Sequence, residues 1–95
     1  MADEQASRLD TLTAWAAYVY TAMAHTQYER IDDGQTVYAE IPEFPGVWAT
    51  GPTFNECRAE LLSTLEDLLE YRLQRGMTLP TIAGVQAPQA SPVLV

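Results

Sequence analysis

An α+β fold in the order α-β-β-β-α-β, an antiparallel three-stranded sheet with a short extra strand packed on one long helix, is the class this 95-residue chain predicts. Three observations carry that expectation. They are an apolar helical period near the start, two β-prone runs about an Asp-Gly turn, and a capped amphipathic segment that closes on a glycine. So short a chain buries one core, hiding roughly 60–65% of its unfolded surface.

The first helix is expected from Leu9, Leu12, Trp15, Ala16, Val19, Ala22 and Met23, which recur at three- and four-residue spacing. Ser7 is its expected cap, with Asp10 in the first turn, where an acid suits the helix dipole. Residues 27–32 and 36–41 are rich in Tyr, Val, Ile and Thr and flank Asp32-Asp33-Gly34-Gln35, a hairpin signal because Gly accepts positive φ. Pro42 and Pro45 each remove a backbone donor, and Gly46 frees the chain to turn into a third strand at 47–50.

The start of the second helix is marked by Thr53-Phe54-Asn55-Glu56, a capping box in which hydroxyl and carboxylate satisfy end amides reciprocally. It is expected to reach Arg75, with Gly76 at the left-handed C′ position and Arg72 and Arg75 opposing the negative dipole end. Residues 78–82 are expected to add an edge strand, the one strand position that tolerates Pro80. The Gly, Pro, Gln, Ala and Ser of 83–95 suggest a loose tail. The organisation is therefore an N-terminal helix (1–26), a core (27–82) and a tail, within one domain.

Charge narrows the function. Thirteen Asp and Glu face five Arg and no Lys, a net charge of −8. Phosphate binding draws on Lys and Arg that release counterions, so direct nucleic-acid contact is not expected and a basic protein is the natural partner. The single Cys57 and single His25 cannot make an internal disulfide or a zinc site, which suits a reducing cytoplasm. The start Met1-Ala2-Asp3-Glu4 carries no basic stretch ahead of an apolar one, and no apolar run approaches the ~20 residues that cross a bilayer.

No spacing suggests an enzyme or a cofactor. His25 has no serine or cysteine nearby in sequence and is read as a helix-end or surface histidine, and Cys57 as a buried packing thiol. Asp32, Asp33, Glu40 and Glu43 could gather around a metal, but acids at turns more often bond their own backbone. On the second helix Phe54, Cys57, Leu61, Leu65, Leu68 and Leu69 share one arc, opposite Glu56, Glu60, Ser63, Asp67 and Glu70, with Glu66 at the flank. That acidic stripe is either a solvated face or a dock for a cationic partner. Arg58 and Arg72 project onto the apolar arc, which suits rim positions or a contact between subunits.

The segment Ile41-Pro42-Glu43-Phe44-Pro45-Gly46-Val47, followed by Gly51, Thr53, Glu56 and Cys57, resembles the HicB-like family of type II toxin–antitoxin systems. The resemblance covers roughly residues 28–80. It implies a partial ribonuclease-H-like fold, assembly as dimers or tetramers, and binding of a small basic HicA toxin, an mRNA-cutting ribonuclease with a catalytic histidine. Longer members append a DNA-binding domain, which is not expected here, and many start directly on the first strand, without the extra helix. The leading expectation is thus an antitoxin-type interaction domain that presents Glu43, Glu56, Glu60, Asp67 and Glu70 to its partner. The rivals are a stand-alone oligomeric scaffold or small-ligand binder without a toxin, and a residual metal-dependent nuclease.

Overall fold

Asp32 and Asp33 both adopt positive φ, 53° and 56°, and Gly34 follows at 86°. Two successive left-handed residues match the twist of a tight hairpin, and Asp tolerates that region because its side chain bonds locally. Here Asp32 Oδ2 accepts from Thr36 Oγ1 at 3.1 Å. The hairpin joins β1 (Gln27–Ile31) to β2 (Thr36–Glu40), and β2 pairs in turn with β3 (Trp48–Gly51), both antiparallel, in the order β1-β2-β3. The computed structural model describes residues 2–88, with side chains from Asp10 onward.

Two helices flank this sheet in chain order, α1 (Ala2–Ala24) and α2 (Phe54–Gln74), giving α-β-β-β-α. Alternation sorts the sheet residues. Tyr28, Arg30, Val37, Ala39, Ala49 and Gly51 share the face toward α2, and Glu29, Thr36, Tyr38, Glu40, Trp48 and Thr50 share the other. Val37, Ala39 and Ala49 are buried beneath Cys57, Leu61, Leu65 and Leu69 of α2. The corner at 41–47 closes on its own backbone, with Phe44 N–H donating to Ile41 O and Val47 N–H to Phe44 O. Gly46 takes a φ of 91° there, as its expected role requires.

The capping of α2 follows its sequence with one exception. Glu56 N–H donates to Thr53 Oγ1 at 3.1 Å, but the Glu56 carboxylate does not return the bond, so half of the capping box forms. At the other end Met77 N–H reaches Arg72 O and Gly76 N–H reaches Leu73 O, with Gly76 at φ 65°, which is a Schellman closure.

Three expectations need correction. The first helix begins at Ala2, so Ser7 lies inside it rather than capping it. Its buried stripe is Trp15, Tyr18, Ala22 and Met23, while Leu12 is largely exposed. Residues 78–82 form no strand; Ile82 and Val85 instead make an isolated bridge around the left-handed pair Ala83 and Gly84. Ile82 anchors that turn by being fully buried, and Val85 and Ala87 pack on the core, so the packing runs on to Ala87. The rest of the expected tail, 89–95, lies outside the described residues. No helix among the described residues is long and apolar enough to cross a membrane.

Candidate functional site

The acidic stripe on α2 stands clear of the core. Glu56, Glu60, Ser63, Glu66, Asp67 and Glu70 are all exposed. Among the described residues none of these carboxylates makes an ion pair, and Glu70 only accepts a long bond from Gln74 at 3.5 Å. Glu56 with Glu60, and Glu66 with Glu70, stand one turn apart, where like charges repel by roughly 0.2–0.5 kcal/mol per pair.

Glu43 is not part of that stripe. The 41–47 corner carries it to the end of α1, where His25 Nδ1–H donates to Glu43 Oε2 at 2.5 Å. The hydrogen bond holds the Glu43 carboxyl below its usual range against the opposing effect of burial. His25 therefore ties α1 to the corner. Asp32 and Asp33 sit at the hairpin tip, at the opposite end of β2 from Glu40 and Glu43, so the four acids do not gather. Among the described residues no three His, Cys, Asp or Glu side chains come together in a form that could hold a metal ion. Cys57 is fully buried, donates to Ala49 O at 3.5 Å, and has its thiol pushed up by burial. That keeps it protonated and inert.

The arginines divide. Arg72 is half-buried with its guanidinium 5.7 Å from the Phe44 ring, so the cation that falls on the apolar arc is engaged within the chain. Arg75 lies over Tyr71 at 4.6 Å and Arg30 over Phe54 at 4.9 Å. Arg58 is exposed and makes no ion pair among the described residues.

Two features escaped the sequence. Tyr18 is fully buried, meets Trp15 and Phe44 edge to face, and donates its hydroxyl to Pro80 O, which fastens α1 to the chain beyond α2. Burial pushes the Tyr18 phenol up to about 12, with the Arg72 charge opposing and the Glu43 charge adding. The other feature is on the sheet face turned away from α2, where the Tyr38 and Trp48 rings stack at 6.1 Å and 24°. Alternation alone could have placed them on one face, but the stacking depends on the β2–β3 register.

Sheet, corner and capped helix define a small α+β domain whose exposed features are carboxylates and aromatic rings. The chain belongs to the UPF0150-like family, a HicB-like family, whose model matches residues 17–80. The match opens within α1 beside Tyr18 and closes on Pro80, the two residues joined by that hydroxyl bond. Among solved structures the chain is similar to the crystal structure of TTHA0281 from Thermus thermophilus, at 42% identity and a TM-score of 0.75, covering 82% of this chain and 96% of that one. None of the curated proteins compared with the chain matches it.

Proposed function

We propose that the chain is an antitoxin-type interaction domain, without catalytic activity of its own, that binds and neutralises a small basic HicA-type mRNA-cleaving toxin in the cytoplasm. The observation that carries this is the α2 stripe: exposed carboxylates with no ion pair among the described residues, in a chain of net charge −8. A cationic partner relieves the like-charge repulsion and is steered by the field, which raises the association rate chiefly at low salt. A short basic reading frame with a central histidine is expected beside this one.

Glu60→Lys with Asp67→Lys reverses the middle of the stripe and leaves Leu61, Leu65 and Leu69 in place. Folding is expected to survive. Association with that basic protein, measured from about 50 to 500 mM salt, is expected to slow and to lose salt dependence. Unchanged kinetics would assign the stripe to solubility alone.

Self-association belongs to the same proposal. β1 and β3 are both sheet edges, and Arg58 is an exposed cation beside the apolar arc. Sedimentation at micromolar concentration is expected to give a dimer or tetramer, and a 10.5 kDa monomer would remove the subunit-contact role of Arg58.

A further inference from the structure

The sheet face turned away from α2 has no helix upon it. On it Trp48, 54% exposed at the start of the edge strand β3, stacks on Tyr38 of the central strand. The register sets Glu40 directly across from Trp48, and Glu29 directly across from Tyr38 on the other side. Tyr38 OH donates to Glu40 Oε2 at 3.2 Å. Burial pushes the Tyr38 phenol up, helped by that hydrogen bond and by the charges of Glu40 and Glu29, so both carboxylates bear on the ring pair.

We infer that this face is a seat for an arginine side chain of a basic protein partner, whose guanidinium lies on the Trp48 and Tyr38 rings between Glu40 and Glu29. The inference rests on the basic-partner reading above and adds to the α2 stripe a second surface, on the other side of the sheet, that takes a cation. A guanidinium is planar, stacks on indole, and pairs with carboxylates, so rings and acids together fit it better than either alone. The chain uses the same chemistry three times internally, with Arg30 on Phe54, Arg72 on Phe44 and Arg75 on Tyr71. Those three are committed elsewhere, Arg58 stands on α2 and over no ring, and the chain has no lysine, so among the described residues no cation of the chain covers Trp48.

Charge also excludes other occupants. A second copy laid face to face would press Glu29 and Glu40 against their own equivalents, and the same carboxylates repel a nucleic-acid strand that would otherwise stack on Trp48. Trp, Tyr and Arg are the residues that dominate protein interfaces energetically, which suits a contact centred on one ring pair.

The test titrates the isotope-labelled full chain with hexa-arginine and, separately, hexa-lysine at about 50 mM salt, where screening is weak. The Trp48 indole and α2 backbone resonances are followed. Hexa-arginine is expected to shift the Trp48 indole and to bind about two- to fivefold more tightly than hexa-lysine, the ratio an exposed cation–π contact sustains. Trp48→Ala is expected to abolish that preference. Glu40→Gln is expected to weaken hexa-arginine with the ring pair intact, and Glu60→Lys with Asp67→Lys to leave the preference unchanged.

Equal affinity for the two peptides, with shifts confined to α2, would overturn the seat while leaving the basic-partner reading standing. Failure of both peptides to bind would overturn both. A Trp48 shift that follows protein concentration without peptide would give the face to a second copy and overturn the inference.

Discussion

Gly51→Ala is expected to lower the melting temperature by roughly 5–15 °C, although its backbone conformation suits alanine and the change adds one methyl group. A Cβ at Gly51 would stand 2.8 Å from Cys57 N, 3.1 Å from Cys57 Cα and 3.2 Å from the Glu56 carbonyl carbon. All three are backbone atoms of the first turn of α2, so no side chain can swing aside. The helix start must move off β3, which disturbs the Cys57 thiol bond to Ala49 O and the packing of Cys57 on the sheet. Replacing Gly by Ala normally gains about 0.4–1 kcal/mol by restricting the unfolded chain, whereas overpacking costs about 1–3 kcal/mol. The steric cost wins, leaving a loss of about 1–2 kcal/mol, at about 4–8 °C per kcal/mol for a domain of this size. Thr50→Ala, one residue away on the opposite face, is expected to move the midpoint by no more than a surface substitution does. A Gly51→Ala protein melting at or above the wild-type temperature would show that α2 slides on β3 at no cost.

The residues whose roles were legible in sequence are those set by local rules. The Asp-Gly hairpin, the Thr53 cap and the Gly76 closure each depend on a few adjacent residues, so period and turn chemistry sufficed. The family segment was legible for the same reason, as a compact run of prolines and glycines. What escaped depends on distant pairs. Tyr18 gives no core signal of its own because its ring is apolar while its hydroxyl needs a partner, and that partner, Pro80 O, is far along the chain. The pairing of Glu43 with His25 is another such contact, since nothing local announces one as the neighbour of the other. The last strand failed because the left-handed Ala83 and Gly84 turn the chain back on itself before it can extend.

Gly51 and Trp48 show the same division within the candidate surfaces. Gly51 is visible as part of a motif, yet its physical reason is a close approach of helix to strand that appears only in three dimensions. The α2 stripe could be drawn from helical spacing alone, and the exposure of its acids agrees with that drawing. The acids flanking the Trp48 and Tyr38 rings lie on different strands, so only register brings them to one place.

Phe44→Ala is expected to be the most damaging single change in the described part of the chain. Phe44 is fully buried at the corner, edge to face with Tyr18 of α1 at 6.4 Å, with the Arg72 guanidinium of α2 over its ring. One side chain thus joins the corner to both helices. Truncating a buried Phe costs about 3–5 kcal/mol, a large part of the roughly 5–15 kcal/mol that holds such a domain together. The melting temperature is expected to fall by roughly 15 °C or more. Phe44→Leu, which keeps much of the volume, is expected to lie well between the two. The loss should fall first on α1, because Tyr18 is central to its docking and the hairpin and α2 still cover one another without it. Trp15, buried in α1 beside Tyr18, reports this locally, since Trp48 is already exposed. In urea the mutant's tryptophan emission is expected to shift to the red at lower concentration than its far-ultraviolet signal from sheet and helix falls, whereas wild-type transitions coincide. Coincident transitions in Phe44→Ala, with a midpoint within about 5 °C of wild type, would show that α1 is held without Phe44.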